Sequence, residues 1–297
     1  MAITDRVLIT PGKGNTTTKV RGRFFSGNSA FVVGGTILLL CLAGGVASLF
    51  MQDAVVAQTL TDRLKPPAWA PGGTTGHFLG TDSLGRDVFA RMLDGLRTSL
   101  LIGLLAVALG MAFGIFIGLL AGYFGGWLDT IFMRLADAVL AIPTVLLALT
   151  TIAIIGGGIT NLILVIAFAQ WMAFARNTRG EALVYKEMLY TTASRSLGAS
   201  DIHIMVRHVL PHTVPATIVL ATLSVSHAIL IEAGLSFLGM GVQPPAPSLG
   251  AMLSEGRQYV ASASWLAIFP GLAIFILVLG INVLGEGLRV HLDRSSK

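Results

Sequence analysis

The sequence predicts an all-α integral membrane protein of about six transmembrane helices. Of its 297 residues, 54% are hydrophobic and only 12% are charged, whereas an ordinary soluble domain is about 25% charged. The apolar stretches are long and continuous, whereas strands of a membrane barrel alternate apolar and polar residues over about ten positions. The composition therefore indicates a bundle of helices in lipid.

The net charge of +5 raises the question of a nucleic-acid partner. The Lys and Arg residues are spread over several loops without interleaved aromatic residues, which is typical of membrane topology. We therefore exclude nucleic acid as a partner.

A basic tail, residues 1–28, precedes a first predicted span at residues 29–51. Its apolar part, Phe31 to Met51, is long enough to cross a hydrocarbon core of about 30 Å at about 1.5 Å per residue. A cleaved signal peptide is the alternative, because small residues near Ala47 and Ser48 resemble a cleavage site. The apolar run exceeds the usual length of about 7 to 15 residues, so we expect the segment to be retained.

Residues 52–96 predict an extracytoplasmic loop, since proline, glycine and balanced charges interrupt them. The last part, from Asp82 to Leu96, carries apolar residues four positions apart, which predicts an amphipathic helix along the interface before the second span. These apolar residues are Leu84, Val88, Met92 and Leu96.

The second span is predicted at Ser99 to Gly122, and its second half contains glycine at every fourth position. Small residues on one face let a second helix approach closely, so a packing role is favoured over a ligand role. The four glycines are Gly110, Gly114, Gly118 and Gly122.

Four further spans complete the predicted core, residues 97–290, which a short tail at 291–297 follows. Pro143 is expected to kink the third span because proline lacks a backbone donor. The predicted spans are Thr130–Ile155, Ile159–Ala175, Val209–Ile231 and Trp265–Leu284.

The distribution of Lys and Arg predicts that both termini are cytoplasmic. Fourteen of the twenty basic residues lie on the side of the two termini, and cytoplasmic loops are enriched in such residues. The six on the other side are Arg63, Lys65, Arg86, Arg91, Arg97 and Arg257.

Between the fourth and fifth spans lies a polar stretch that is too long for a simple turn, with residues 186–208 as its main part. Two short helices are predicted to meet at Gly198, with Ser200 or Asp201 as the cap of the second helix. The apolar residues expected on one face of that helix are Ile202, Met205 and Val206.

Residues 190–200 (YTTASRSLGAS), followed by residues 207–211 (RHVLP), resemble the cytoplasmic "EAA" loop of ABC importer permeases. The resemblance implies a type I ABC importer permease fold and a coupling helix that docks in a cleft of the ATPase subunit. The family usually has Glu-Ala-Ala where this chain has Thr192, Ala193 and Ser194, so a salt bridge from the first position is not carried over. The implied coupling residues are Lys186, Tyr190, Thr192, Ala193, Ser194, Leu197, Gly198, Ala199, Ser200, Asp201, Arg207 and Pro211.

Residues 77–91 (HFLGTDSLGRDVFAR) and 232–250 (EAGLSFLGMGVQPPAPSLG) are similar to the C-type permease of dipeptide and oligopeptide importers, although Leu249 replaces a frequent tryptophan. This resemblance implies uptake of di- or oligopeptides by alternating access in the bacterial inner membrane. It also implies a second homologous permease, two ATP-binding subunits and an extracytoplasmic substrate-binding protein as partners.

Alternatives remain for both cargo and class. Sister importers take up nickel complexes, glutathione, opines or small sugars. A self-contained channel or a membrane enzyme would need inverted repeats or a convergent catalytic constellation, and we find neither in the sequence.

The sequence lacks a GxxxxGK[ST] phosphate loop, because Gly12-Lys13-Gly14 and Gly72-Gly73-Thr74 have neither the spacing nor the lysine in place. We therefore expect no enzyme activity and no cofactor on this chain, with ATP and Mg²⁺ bound by the partner ATPases.

Four ionisable residues in or near the spans are candidates for gating or the pathway. Arg134 and Asp137 can pair at the start of the third span, where anchoring is favoured over gating, although the family often shows this pair. Glu232 is expected to bind backbone amides of the proline-rich loop or to end a solvated helix. His227 is expected to be a hydrogen-bonded packing residue rather than part of a pathway or proton relay, and no metal-ligand spacing surrounds it.

Overall fold

The computed structural model describes residues 27–295, and the regular structure in this range is helical. The predicted tail at 1–28 lies outside the described residues except for its last two positions, and so do residues 296 and 297. The helices are α1 (Gly27–Ala47), α2 (Gln52–Val56), α3 (Val88–Phe124), α4 (Gly126–Leu140), α5 (Thr144–Ile155), α6 (Ile159–Tyr185), α7 (Leu189–Ser196), α8 (Asp201–Ile204), α9 (Leu210–Phe237), α10 (Leu249–Arg257) and α11 (Trp265–Ser295).

Five continuous helical stretches are long and apolar enough to cross a membrane, and a sixth is counted when the bent pair α4 and α5 is taken as one span. The prediction of an all-α bundle with about six spans is therefore confirmed. The five stretches are Ser29–Phe50, Val88–Phe124, Ile159–Tyr185, Asp201–Phe237 and Trp265–Leu292.

The third predicted span is broken rather than kinked. α4 ends at Leu140 and α5 begins after Pro143, and the two axes differ by 90°. Pro143 has an extended ψ of 126° and has no amide hydrogen to donate to the preceding turn. The prediction of one kinked helix from Thr130 to Ile155 is thus wrong.

α3 is one uninterrupted helix of 37 residues, about 55 Å long at about 1.5 Å per residue. It begins where the Asp87 carboxylate accepts a hydrogen bond from the Ala90 amide at 2.8 Å, which is the usual role of an N-cap. The predicted interfacial helix is therefore the first part of the second span. Its face is buried against the bundle, with Val88, Leu96 and Leu100 among the core residues.

α3 packs against α6 through its glycine repeat. A Cβ atom added at any of the four glycines would lie within 2.9 Å of an α6 atom, chiefly the carbonyl oxygens of residues 167, 171, 175 and 179. The two backbones therefore lie closer than any residue with a side chain would allow. α1 lies against α11 in a similar way, at Gly34 and Gly287.

Candidate functional site

The candidate site is the interhelical segment (residues 186–208), which joins α6 to α9 at one end of the bundle. α7 ends at Ser196, and Gly198 follows with a φ of +85°. The Ser200 hydroxyl, one of the two predicted caps, accepts a hydrogen bond from the His203 amide at 3.3 Å. A left-handed φ favours glycine over residues with a Cβ, so Gly198 permits the sharp reversal between α7 and α8.

The tip of this segment (Leu197 and Gly198) exposes apolar surface. The Leu197 side chain is 90% exposed, and Leu189 at the start of α7 is 88% exposed. Both lie outside the spanning helices, where an exposed apolar patch is typical of a surface that contacts a protein partner.

The apolar face predicted for the second short helix is wrong at two of its three positions. Met205 is buried, but Ile202 and Val206 are exposed, and the buried face is completed by Ile204 and Val209. The reason is a turn of π-helix at Met205–Val209, because its wider turn brings residues five apart to the same face.

Polar contacts connect the segment to the end of α3. The Lys186 ammonium donates a hydrogen bond to the Gly122 carbonyl at 3.0 Å. The Tyr123 hydroxyl donates to the Asp201 carboxylate at 2.7 Å and accepts from the Arg195 guanidinium at 3.2 Å. The last turn of α3 therefore contacts the segment at three separate residues.

Ring contacts connect both the end of α6 and the segment to α9. The Tyr185 ring stacks on the His212 ring with centroids 4.7 Å apart and an interplanar angle of 18°. The Tyr190 ring in α7 lies 5.9 Å from the His208 ring and 5.7 Å from the His212 ring. These contacts place α7 beside the first turns of α9.

The opposite end of the bundle carries an ion-pair cluster (Asp82, Arg86, Arg91 and Glu255). The Asp82 carboxylate accepts from the Arg86 Nε at 2.6 Å and also from Arg91. Glu255 in α10 accepts from Arg91 NH1 at 2.9 Å and from Arg86 NH2 at 3.3 Å. Burial acts to raise the pKa of Asp82, but the Arg91 and Arg86 charges and backbone N–H donors outweigh it and lower that pKa.

Glu232 lies fully buried where α3, α9 and the following loop meet. Its carboxylate accepts hydrogen bonds from the Ser99 and Ser236 hydroxyls, each at 2.7 Å. The loop amide of Val242 donates to the Ser236 oxygen rather than to the carboxylate. Both predictions for Glu232, direct amide binding and a solvated helix end, are therefore wrong.

The sequence profile of the family described as "Binding-protein-dependent transport system inner membrane component" matches residues 114–297 of this chain. That range covers α6, the interhelical segment and α9. This chain is a permease of that ABC importer family. It is accordingly a multi-pass inner-membrane protein and a transport subunit.

Known relatives and a solved structure resemble this permease over most of its length. It is 43% identical over 275 residues to the glutathione transport system permease protein GsiD of Pectobacterium atrosepticum, covering 93% of this chain and 90% of that protein. It is 48% identical over 226 residues to the GsiD protein of Shigella flexneri, covering 76% and 75%. A chain of the inward-facing MetNI methionine ABC transporter superposes with a TM-score of 0.54 at 20% identity, covering 68% of this chain and 95% of that one, which shows the same fold.

The permease pairs Asp137 with a different cation from the one predicted. Asp137 in α4 forms an ion pair with Arg176 in α6, while Arg134 is exposed and has no ion pair within residues 27–295. A second pair joins the same helices, because Arg179 NH2 donates to Asp129 at 2.6 Å. The predicted local pair is wrong because α6 lies close enough to compete for the carboxylate.

His227 is exposed on α9 of the permease. Its packing role and its role in the pathway both stay predictions. In the part of the chain that the structure describes, no group of three His, Cys, Asp or Glu side chains is arranged to hold a metal ion.

Sequence reasoning missed Tyr123, Arg195 and Glu255. A tyrosine near a helix end is typical of any membrane interface, so Tyr123 carries no distinguishing signal. The spacing of Asp82 and Arg86, four apart, suggests a local pair, but nothing in the sequence brings Glu255 to it.

Proposed function

We propose that this permease is a subunit of an ATP-driven importer that takes up di- or oligopeptides by alternating access. The observation that carries the proposal is the exposed apolar tip, which lies between α7 and α8 outside the spanning stretches. Exposure of this apolar surface to water is unfavourable, and its burial against a partner surface lowers the free energy. A cleft in an ATPase subunit is the partner surface that the family resemblance implies.

The energy for transport comes from separate subunits in this proposal. The sequence has no phosphate loop, so ATP and Mg²⁺ would bind to two ATPase subunits and not to this chain. Closure of those subunits would displace the tip, and α6 and α9, which carry the interhelical segment, would move with it.

The proposed orientation places the interhelical segment and both termini in the cytoplasm, as the distribution of Lys and Arg favours. The ion-pair cluster then faces the other side, where a substrate-binding protein would deliver cargo. A second, homologous permease would complete the pathway, because one chain of about six spans supplies only one side of a shared cavity.

The proposed cargo is a di- or oligopeptide. Glutathione is the second candidate, since the relatives named above are glutathione transport permeases and glutathione is itself a tripeptide. Nickel complexes, opines and small sugars lack such support. Calorimetric titration of the partner binding protein with glutathione and with a series of di- and tripeptides would rank these cargoes.

Co-purification tests the assembly. The permease, extracted in mild detergent, is expected to bring down a sister permease and two ATPases. Leu197→Asp should lose the ATPases because it places a charge in the docked tip, while Ser196→Asp adds the same charge beside it without removing apolar surface. Retention of the ATPases by Leu197→Asp, at the level of Ser196→Asp, would contradict the proposed docking surface.

A further inference from the structure

We infer that Tyr123 is a positioning residue that fixes the interhelical segment to α3, so that displacement of the tip reaches α3 as well as α6 and α9. This inference rests on the proposed function, since it concerns how ATPase movement enters the bundle.

The two partners of Tyr123 lie on either side of the tip. Arg195 belongs to the last turn of α7, and Asp201 is the first residue of α8. The Tyr123 hydroxyl contacts both, as donor to Asp201 at 2.7 Å and as acceptor from Arg195 at 3.2 Å. The Arg195 guanidinium carbon also lies 5.8 Å from the Tyr123 ring centroid. One side chain of α3 therefore holds both short helices.

No side chain packs against the tip (Leu197 and Gly198) in the part of the chain that the structure describes. A Cβ added at Gly198 would meet no atom within 4 Å, and Leu197 is almost fully exposed. Backbone hydrogen bonds close the end of α7, from the Gly198 amide to the Arg195 carbonyl and from the Ala199 amide to the Ser194 carbonyl, and Ala199 packs against the cluster that contains Tyr123. The Tyr123 hydroxyl adds side-chain hydrogen bonds to one residue of each of the two helices.

Tyr123 is well placed to transmit force because its own position is fixed. Its side chain is buried, and it packs with Leu119 and Ile204 in a small apolar cluster. Hydrogen bonds to charged groups are stronger than neutral ones, although the Arg195 and Asp201 side chains are themselves exposed. A shift of Asp201 or Arg195 must therefore displace the end of α3 or break a charge-assisted hydrogen bond.

The matched control is Tyr185 at the end of α6. Its ring stacks on His212, but its hydroxyl has no hydrogen-bond partner within residues 27–295, in contrast to that of Tyr123. Tyr123→Phe and Tyr185→Phe each remove one phenolic oxygen near the same segment, and only the first breaks the bridge between α7 and α8.

The experiment measures substrate uptake per ATP hydrolysed, with the complete assembly in proteoliposomes. Tyr123→Phe removes both hydrogen bonds to charged groups and should lower this ratio about tenfold, while ATP hydrolysis continues. Tyr185→Phe should keep the wild-type ratio. A merely structural defect would lower uptake and hydrolysis together and leave the ratio unchanged.

Asp201→Asn is the second variant, because it keeps the shape and one acceptor oxygen but removes the charge. Asp201→Asn should give a smaller fall in uptake per ATP hydrolysed. It tests the positioning role of Tyr123 even if the Tyr123→Phe assembly does not form. Wild-type ratios in both variants would overturn the inference and leave the proposed function intact. Failure of the wild-type assembly to import any substrate with ATP would instead overturn the proposed function, and the inference with it.

Discussion

The Ser99 hydroxyl in α3 donates a hydrogen bond to the Glu232 carboxylate in α9 across 2.7 Å, and both side chains are buried. Ser236, one turn further along α9, donates to the other carboxylate oxygen at the same distance. A buried carboxyl group without partners would strongly destabilise the fold. The two hydroxyl groups therefore make this residue tolerable where the two helices meet.

Glu232→Ala should destabilise the permease more than Glu232→Gln. Alanine leaves a cavity and two hydroxyl groups without an acceptor, a loss of about 3 kcal/mol, whereas glutamine keeps the volume and one acceptor, a loss of about 1 kcal/mol. Thermal unfolding midpoints in detergent should fall in that order. Glu286→Ala, at an exposed position of α11, should leave the midpoint unchanged, and equal midpoints for the two Glu232 variants would contradict the role of the hydrogen bonds.

Gly114→Ala should destabilise the contact between α3 and α6. The added methyl group overlaps the Trp171 carbonyl and the Phe174 side chain, and overpacking of this kind usually costs about 1–3 kcal/mol. Gly180→Ala is the control, because the same change in α6 meets no atom within 4 Å and should stabilise the helix by about 0.5–1 kcal/mol. The measurement is the unfolding midpoint, and a higher midpoint in both variants would argue against close packing at Gly114.

Asp82→Asn should lower stability at neutral pH by about 3 kcal/mol, the usual loss when one partner of a buried ion pair is removed. The pKa of Asp82 is lower in the folded protein than its ordinary value, since the charges of Arg91 and Arg86 outweigh burial. Its stabilisation is therefore complete above the ordinary aspartate pKa of about 3.9 and is lost as the pH falls through the lower folded value.

Unfolding midpoints of the wild type and Asp82→Asn, measured from neutral to acidic pH, should thus differ most at neutral pH and converge below about pH 4. Asp53→Asn changes an exposed aspartate of α2 and should follow the wild type throughout. A constant difference between Asp82→Asn and the wild type across the whole range would contradict the charge-based explanation.

Gly198→Val should uncouple ATP hydrolysis from uptake. The backbone at Gly198 has a φ of +85°, which a β-branched residue does not tolerate, so the tip must change conformation. Gly156→Val imposes the same strain at a φ of +89°, also in open space, at the end of α5. Uptake per ATP should fall only in the Gly198 variant, and wild-type uptake there would count against the proposed role of the tip.

The glycine repeat of α3 shows what sequence spacing establishes and where it stops. A period of four places Gly110, Gly114, Gly118 and Gly122 on one helical face, so close approach of another helix was predictable. Which helix would approach was not predictable. The glycines contact backbone carbonyl oxygens of α6, and every helix has such oxygens. The partner follows only from the arrangement of the whole bundle.

Local spacing also misled where a neighbouring helix competes. Arg134 is three residues from Asp137 and was the natural partner, but Arg176 of α6 takes that place. Pro143 predicted a bend in the third span. The angle of that bend, 90°, depends on how α4 and α5 pack against α6. Ser200 was predictable as a cap because capping is a local interaction, whereas the π-helical turn after α8 has no sequence signal.

The unbroken hydrogen-bond ladder of α3 connects two regions at opposite ends of the bundle. Gly122 and Tyr123 contact the interhelical segment, and Arg91, in the first turn of the same helix, binds Glu255 of α10. A helix without proline or a break has no internal joint. Tilting it at one extremity must therefore move the other, so the surfaces on the two faces of the membrane cannot change position independently.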